Sequence, residues 1–302
     1  MKSIYPKPLR PGDRICVIDP ANAFTEEGME GAREYLEKKG FEVTFSKDMA
    51  FRHGSPKERA SIFNQVIRDE ENRGIFCMWG GYGTMTLLEY LDYETLEANR
   101  PVFSGFSDNT ALHMAISQKT NLVTFHGPTL YSVKRPATPE AMELFLEMAA
   151  EPERPRIFAN LDGSGMKALR EGCGQGRITG GNLTLISRLM GTPWEIDTKG
   201  KILFIEEVGE RPYRIHGILT QLAMAGKLQE AAGVVVGALT DCDTPGRPGS
   251  ALQLAREALE AARGPVACGV NAGHIGDALT IPINTEAKLT VTGNDICFQT
   301  IS

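Results

Sequence analysis

The sequence has few cysteines, and none of the six lies in a C-x-x-C arrangement. It also lacks an H-E-x-x-H motif and any cysteine–histidine cluster with zinc-ligand spacing. Disulfide scaffolds and zinc sites depend on such spacings, so the sequence argues against both, and against a metal site in general. Most of the cysteines lie inside apolar runs, which is typical of reduced thiols in the core of a cytosolic protein.

Long basic runs and long apolar runs are absent as well. The formal net charge is -6 and the sequence pI is about 5.5, which argues against a nucleic-acid partner. No apolar run is long enough to span a bilayer, and the first eight residues are not followed by the apolar region of a secretory signal. We therefore expect a cytoplasmic protein that binds neither nucleic acid nor a membrane.

What the sequence does contain is an alternation of apolar strand patterns and helical patterns in its first half. Strands separated by helices indicate a parallel sheet with helices on both faces, so an α/β fold is expected. The predicted strands are 13–18, 41–45, 73–79, 102–104 and 122–125, and the predicted helices are 25–39, 56–69, 84–91 and 110–118.

The chain has 302 residues, a length that fits either one large α/β unit or two domains, and its pattern changes in the second half. Residues 1–150 are predicted to form the first domain. Residues 151–169 are rich in Pro, Glu and Gly and are predicted to be a linker. Residues 170–302 contain strands with fewer and less regular helices between them, which indicates a second, mixed α/β domain.

A serine lies at one of the predicted strand-to-helix corners. Ser107 follows the strand that ends at residue 104 and precedes the helix that begins at Thr110. A serine there projects from the sheet edge, where helix N-terminal amides favour the negative charge of an oxyanion. However, Asn109 replaces the second glycine of G-x-S-x-G, and Ser-Asp-Asn-Thr is also an ordinary helix N-cap sequence. The segment alone fits both a nucleophile and a helix cap.

A second strand-to-helix corner is the Gly-Gly-Tyr-Gly segment at 80–83. Glycines allow positive φ angles and a close approach of the backbone to a ligand. The segment is not G-x-G-x-x-G and lacks the lysine of a P-loop, so it does not indicate nucleotide binding. It fits either a ligand-contacting loop or a tight turn without a ligand.

Two adjacent glutamates follow the apolar strand 202–205. Because side chains alternate along a strand, we expect Glu206 and Glu207 on opposite faces, one directed into a site and the other solvated. Among the five histidines, His274 lies in a Gly-rich loop, and His126 at a strand end is the rival base. Serine, carboxylate and histidine are the components of a nucleophilic triad, in which the carboxylate orients the imidazole that accepts the serine proton.

Seven short segments, in this order, together resemble the LD-carboxypeptidase family, which includes murein tetrapeptide carboxypeptidases and microcin-immunity peptidases. They span nearly the whole chain, and jointly they favour the nucleophile over the helix cap at Ser107. The segments are 11–15 (Pro-Gly-Asp-Arg-Ile), 80–83, 105–108 (Gly-Phe-Ser-Asp), 124–128 (Thr-Phe-His-Gly-Pro), 180–183 (Gly-Gly-Asn-Leu), 204–207 (Phe-Ile-Glu-Glu) and 273–274 (Gly-His).

The resemblance implies a Rossmann-like N-terminal domain that carries the nucleophile Ser107 and a C-terminal domain that carries Glu206 and the base His274. It places the oxyanion hole at the backbone amides of Gly81 and Asp108. The residues expected to bind substrate are Gly80, Tyr82, Asn182, Arg211 and Arg214.

The implied reaction hydrolyses the L,D-amide bond to a terminal D-amino acid, D-alanine, in a cytoplasmic murein tetrapeptide. It proceeds through an acyl-enzyme on the serine. The resemblance also implies a homodimer, with no metal and no organic cofactor.

The sequence departs from the family pattern at residues that bear on substrate binding. Trp79 and Thr86 stand where arginines are expected, and His216-Gly217 stands where an Asp-Arg pair is expected. Arginine is a common partner for substrate carboxylates, so we expect backbone amides of segment 80–83, or Arg211 or Arg214, to bind the carboxylate instead.

Two alternatives remain open at this point. One is an amidase of the microcin-immunity type that acts on peptidyl-nucleotides with the same triad. An aromatic side chain placed to stack on a base would favour it, and Trp79 and Trp194 are the two tryptophans of the chain. The other is a ligand-binding relative that keeps the fold without catalysis.

Overall fold

The computed structural model describes residues 2–128 and 137–301, and this part of the chain divides into two compact units. The first unit contains the described residues up to Arg154 together with Thr280–Pro282. The second contains Pro155–Leu279 and the residues from Ile283 onward. Of the segment predicted as a linker, residues 155–169 therefore belong to the second unit.

The strands follow one another along the described residues as β1 (Arg14–Ile18), β2 (Glu42–Ser46), β3 (Asn72–Cys77), β4 (Val102–Gly105), β5 (Thr124–His126), β6 (Lys167–Arg170), β7 (Gly172–Asn182), β8 (Ile202–Val208), β9 (Gly233–Thr240), β10 (Val266–Cys268), β11 (Ile281–Ile283), β12 (Glu286–Thr292) and β13 (Asp295–Thr300). The α-helices are α1 (Glu26–Lys38), α2 (Pro56–Arg68), α3 (Tyr93–Asn99), α4 (Thr110–Thr120), α5 (Pro139–Ala150), α6 (Leu183–Leu189), α7 (Pro212–Met224), α8 (Lys227–Glu230) and α9 (Ser250–Leu259). Short 3-10 helices cover Phe51–His53, Thr84–Tyr90 and Ser107–Asn109.

The sheet of the first unit has the strand order β11-β5-β4-β3-β1-β2. The pairs β1/β2, β1/β3, β3/β4 and β4/β5 are all parallel, which confirms the predicted Rossmann-like sheet. The chain passes from β1 to β2 on one side and then to β3 on the other. In sheets of this kind ligands bind outside the carboxyl ends of the strands, at the point where the strand order reverses. That point lies between β1 and β3, so segment 80–83 begins at the carboxyl edge where a ligand is expected.

Local signals fix the helices of the first unit. Ser55 and Glu58 form a reciprocal capping box at the start of α2, with Pro56 at the first helical position. Thr25 caps α1 by accepting a hydrogen bond from the amide of Gly28. The predicted helix over 84–91 is wrong in type, since Thr84–Tyr90 is a 3-10 helix that begins after Gly83 in the left-handed conformation, without a side-chain cap.

The sheet of the second unit has the order β13-β12-β7-β8-β9-β10-β6. Strands β7, β8, β9 and β10 run parallel, whereas the β12/β13, β12/β7 and β10/β6 pairs are antiparallel, so the predicted mixed α/β character is confirmed. Residues 202–205 of β8 are buried on both faces, as expected for a central parallel strand with a continuous apolar run.

Within the described residues, no helix combines the length and the apolar character needed to cross a membrane. The cysteines described there are free thiols, and four of them are buried: Cys16, Cys77, Cys242 and Cys268. Cys173 is exposed, so the interpretation of the cysteines as core thiols does not extend to it.

Candidate active site

Ser107 has a backbone conformation that a helix-cap residue does not need. Its φ is 61°, in the left-handed region that non-glycine residues seldom adopt. It connects β4 to the 3-10 turn that leads into α4, and neither this turn nor α4 has a side-chain cap. The helix-cap alternative is therefore wrong. A strained serine between a strand and a helix is the geometry of a nucleophile elbow, which exposes the hydroxyl at the sheet edge.

Gly80 lies directly against Ser107. A Cβ built on Gly80 would be 2.5 Å from Ser107 Cβ and 2.6 Å from its Oγ. Gly81 has a φ of 149°, and a Cβ there would be 3.0 Å from the carbonyl oxygen of Ala21. The first glycine thus makes room for the serine, and the second allows the backbone to pass the loop after β1. A tight turn that serves only to reverse the chain would need neither approach.

Asp108 ties the serine turn to the glycine turn. Its Oδ2 accepts a hydrogen bond from the Thr84 amide at 2.9 Å, and the Thr84 hydroxyl donates to the Asp108 carbonyl at 2.6 Å. Asn109 Nδ2 donates to the Trp79 carbonyl at 3.1 Å. These bonds hold the backbone amides of Asp108 and of segment 80–83 in a fixed arrangement, which is what an oxyanion hole requires.

Arg59 is a buried cation beneath this edge that the sequence did not reveal as functional. Its Nε donates to the Met49 carbonyl at 2.6 Å, and Nη2 donates to the carbonyls of Pro20 at 3.1 Å and Gly83 at 3.4 Å. Its Nη1 donates to the Thr86 hydroxyl at 3.0 Å. Arg59 therefore braces the loops that follow β1, β2 and β3. A signal was present, because the arginine occupies the apolar face of α2 together with Phe63 and Val66.

In the second unit the buried Glu206 pairs with His274, which is half-buried. Glu206 Oε2 lies 2.7 Å from His274 Nδ1, and the glutamate side chain is 0% exposed. A carboxylate accepts a hydrogen bond, so Nδ1 carries the proton and Nε2 of a neutral ring is left as the basic nitrogen. Gly273 has a φ of 120°, and a Cβ on it would be 2.6 Å from Glu206 Oε2, so a glycine before His274 is needed for this contact.

The pairing of β8 with β9 is irregular at Glu206. Between Ile205 and Glu207 the pairing of β8 with β9 shifts, so that a step of two residues on β8 opposes a step of three on β9. Irregularities of this kind redirect side chains next to functional sites. Gly237 lies in the irregular part of β9, where a Cβ would be 3.3 Å from Glu206 Cβ.

The expectation that one of the two glutamates is solvated is wrong, because both are buried. Glu207 Oε1 accepts hydrogen bonds from Asn182 Nδ2 at 3.0 Å and from the Val208 amide at 2.8 Å. Its Oε2 accepts from the Thr184 amide at 2.8 Å, at the N-terminus of α6. Asn182 Oδ1 caps the same helix by accepting from Leu185. Glu207 therefore stabilises the start of α6, and Glu206 is the glutamate that contacts His274.

We expect Glu207→Gln to destabilise the protein by about 1–3 kcal/mol, because an amide nitrogen replaces one acceptor oxygen and leaves a buried donor unsatisfied. Losing the negative charge at the N-terminus of α6 adds to this effect. Chemical denaturation of the variant and the parent protein measures the difference. At a temperature where both are folded, kcat/KM should stay within about threefold of the parent, and a larger fall at unchanged stability would contradict the capping role.

Two family models match the chain in consecutive segments. The LD-carboxypeptidase N-terminal domain matches residues 15–127, and the LD-carboxypeptidase C-terminal domain matches residues 175–289. A probable murein peptide carboxypeptidase of Bacillus subtilis is 34% identical over 302 aligned residues, covering 96% of this chain and 94% of its own. The chain belongs to the LD-carboxypeptidase family. It is a serine-type carboxypeptidase, and thus a hydrolase.

Solved structures agree with this assignment. The muramoyltetrapeptide carboxypeptidase of Oxalobacter formigenes superposes with a TM-score of 0.82 at 26% identity, covering 96% of this chain and 99% of its own. An MccF-like protein of Bacillus anthracis superposes with a TM-score of 0.86 at 26% identity, covering 99% and 100%. Both branches expected from the sequence are therefore represented among proteins of the same fold.

The LD-carboxypeptidase departs from the family pattern at Thr86, and the structure shows what lies there. The guanidinium of Arg59 is hydrogen-bonded to Thr86, but Arg59 is itself buried and engaged with backbone carbonyls. Trp79 Nε1 donates to the Asn22 carbonyl at 3.0 Å. Neither position presents an exposed guanidinium.

The residues expected to bind substrate differ in accessibility. Tyr82 is 57% exposed, whereas Asn182 is buried and caps α6. Arg211 precedes α7 and lines a pocket of about 580 Å³ in the second unit, together with Glu210, Tyr213, Asp241 and Thr244. Arg214 is exposed, with Nε 3.7 Å from a Glu210 carboxylate oxygen. Substrate binding by any of these residues stays a prediction.

The rival base His126 is buried in the first unit, with its ring centroid 6.0 Å from that of Phe106. A general base must exchange its proton with substrate and water, so this burial favours His274, whose partner Glu206 orients its ring.

Proposed function

We propose that the protein removes the terminal D-alanine from murein tetrapeptides in the cytoplasm, using Ser107 as nucleophile, His274 as base and Glu206 as the carboxylate that orients the imidazole. The observation that carries this proposal is the hydrogen bond of 2.7 Å between the buried Glu206 carboxylate and His274 Nδ1, which leaves Nε2 basic. The strained backbone of Ser107 supports it.

The reaction follows from these groups. Ser107 Oγ attacks the carbonyl carbon of the L-configured residue as His274 Nε2 accepts its proton, and the backbone amides of Gly81 and Asp108 stabilise the oxyanion. The imidazolium then protonates the departing amine of D-alanine, which leaves an ester on Ser107 Oγ. Water, deprotonated by His274, hydrolyses this acyl-enzyme and restores the serine.

The peptide's free terminal carboxylate needs a partner. Within the proposal, backbone amides of segment 80–83 or the cations Arg211 and Arg214 bind it, in place of the arginines that the sequence lacks at Trp79 and Thr86. An exopeptidase of this kind discriminates against a substrate whose terminal charge is removed. We further propose that the protein acts as a homodimer, which the mass measured by light scattering tests.

We expect amidation of the terminal D-alanine to lower kcat/KM by roughly 30- to 1,000-fold, the scale of about 2–4 kcal/mol for an unpaired charged partner. The measurement is release of D-alanine, or of its amide, from a murein tetrapeptide followed by mass spectrometry, with Ser107→Ala as the inactive control. Equal values for acid and amide would contradict the exopeptidase proposal.

One observation favours the amidase alternative. Tyr82 is exposed and belongs to the segment that contacts Ser107, and a tyrosine ring is a residue type that stacks on a base. The Microcin C7 self-immunity protein MccF of Escherichia coli is 26% identical over 96% of this chain and 94% of its own. Including a peptidyl-nucleotide in the same assay decides between the two, since its preferred cleavage would replace the murein peptide as substrate.

A further inference from the structure

His113 is a fully buried histidine on the helix that follows the Ser107 turn. It is the fourth residue of α4 and is 0% exposed. Its ring centroid lies 5.4 Å from that of Phe103 and 6.0 Å from that of His126. A polar ring in such surroundings costs free energy unless its nitrogens are hydrogen-bonded, so its partners show what it does.

Both ring nitrogens of His113 have partners. Nε2 lies 2.7 Å from the carbonyl oxygen of Gly105, and Nδ1 lies 2.8 Å from the hydroxyl of Thr124. A carbonyl oxygen can only accept, so Nε2 carries the proton, and the Thr124 hydroxyl donates to Nδ1. Burial, together with the neighbouring His126, lowers the pKa of His113 to about 3, so the ring stays neutral and this arrangement holds at neutral pH.

The Gly105 carbonyl is the point where the strand enters the serine turn. Gly105 is the last residue of β4, two residues before Ser107, and its carbonyl also accepts the Gly127 amide at 3.3 Å. A strained φ persists only where the surrounding structure holds it in place. After the serine, Asp108 and Asn109 hold the chain through Thr84 and Trp79. Before it, the His113 ring holds the Gly105 carbonyl, and Asn109 Nδ2 donates to the Phe106 carbonyl at 3.1 Å.

We infer that His113 is a positioning residue for the nucleophile: its Nε2–H joins the strand entering the turn to the helix leaving it and so fixes the direction of Ser107 Oγ. This inference rests on the proposed role of Ser107. His113 touches neither substrate nor the reacting atoms, so its effect is on the placement of the serine.

The test compares His113→Leu with His113→Gln. Leucine fills the space without a donor, whereas glutamine carries an NH2 group that donates and a carbonyl oxygen that accepts. We expect the leucine variant to lose roughly 10- to 100-fold in kcat with KM within about threefold, the scale of a misplaced catalytic group. The glutamine variant should recover to within about fivefold of the parent. Rates are compared per folded molecule, well below the unfolding temperature.

Reaction with a fluorophosphonate, which phosphonylates a serine Oγ with loss of fluoride, reports the nucleophile without peptide binding. We expect the parent to be labelled at Ser107 and the leucine variant about tenfold or more slower. If the parent is not labelled at Ser107, the proposed function fails. If the parent and the leucine variant react at equal rates, or if leucine lowers only the thermal stability, the inference about His113 is overturned.

A leucine variant that does not fold is replaced in the test by Thr124→Val, which keeps the ring and removes the donor to Nδ1. Labelling of that variant should slow by about threefold or more, because the ring can then turn or change tautomer. Labelling at the parent rate would count against the inference.

Discussion

Glu206→Gln should lower kcat/KM by roughly 10³- to 10⁴-fold with little change in stability. In the proposed mechanism, the carboxylate at 2.7 Å from His274 Nδ1 keeps the proton on that nitrogen and stabilises the imidazolium that forms as Ser107 loses its proton. A glutamine can present its amide N–H to the ring, which favours the tautomer with the proton on Nε2 and removes the base. Steady-state kinetics on a murein tetrapeptide, with a denaturation curve for each protein, measures both effects.

Glu207→Gln is the matched control. The two glutamates are adjacent and buried, and in each the substitution replaces one carboxylate oxygen by an NH2 group. Glu207→Gln should lose stability and keep activity. Glu206→Gln should lose activity and keep nearly the stability of the parent. If Glu206→Gln costs less than about tenfold, or if the two variants behave alike, Glu206 does not orient the catalytic base.

The sequence was sufficient for the parts of the fold that follow from periodicity. Apolar runs that alternate with helical stretches identified β1 to β5 and the position of the serine at the end of β4, because buried strands and helices each leave a local pattern. The edge strand β11, far along the chain, was not predicted. The parallel order of those strands and the mixed second sheet agree with the α/β prediction.

What the sequence could not supply depends on contacts between distant residues. Glu207 is buried because the N-terminus of α6 and Asn182 surround its carboxylate, and no local pattern distinguishes it from a solvated glutamate. The partners of Arg59 are backbone carbonyls of three loops, which are not encoded by residue type. Likewise, the sequence of segment Thr84–Tyr90 predicts an α-helix, but the segment forms a 3-10 helix. Hydrogen bonds to Asp108 and Arg59 hold it in place.

The site itself was predictable only as separate residues. Ser107, Glu206 and His274 were singled out by their places at element ends, and the family resemblance chose Glu206 over Glu207. The observed hydrogen bond shows that Glu206 is the glutamate in contact with His274. The strain at Ser107 and the closeness of Gly80 are properties of coordinates, because both arise from backbone angles that many sequences can adopt.

Gly80→Ala is the variant that tests this closeness. Gly80 does not have a positive φ, so alanine brings no backbone strain of its own, and the whole effect comes from the new methyl group. That methyl would lie 2.5 Å from Ser107 Cβ, whereas carbon atoms in contact are about 3.5–4.0 Å apart, so one of the two segments must shift by about 1 Å. The Ser107 side chain cannot simply rotate away, because its Cβ is fixed by the backbone.

A displacement of about 1 Å at a reacting group costs roughly 100-fold, so we expect Gly80→Ala to lower kcat by about that factor or more and to slow fluorophosphonate labelling in parallel. Gly165→Ala is the control, since Gly165 lies in an exposed loop with no atom within 4 Å of its added Cβ and no positive φ. That variant should keep full activity. If Gly80→Ala is folded and as active as the Gly165 variant, Ser107 does not depend on the space that Gly80 leaves, and the glycine turn has no part in placing the nucleophile.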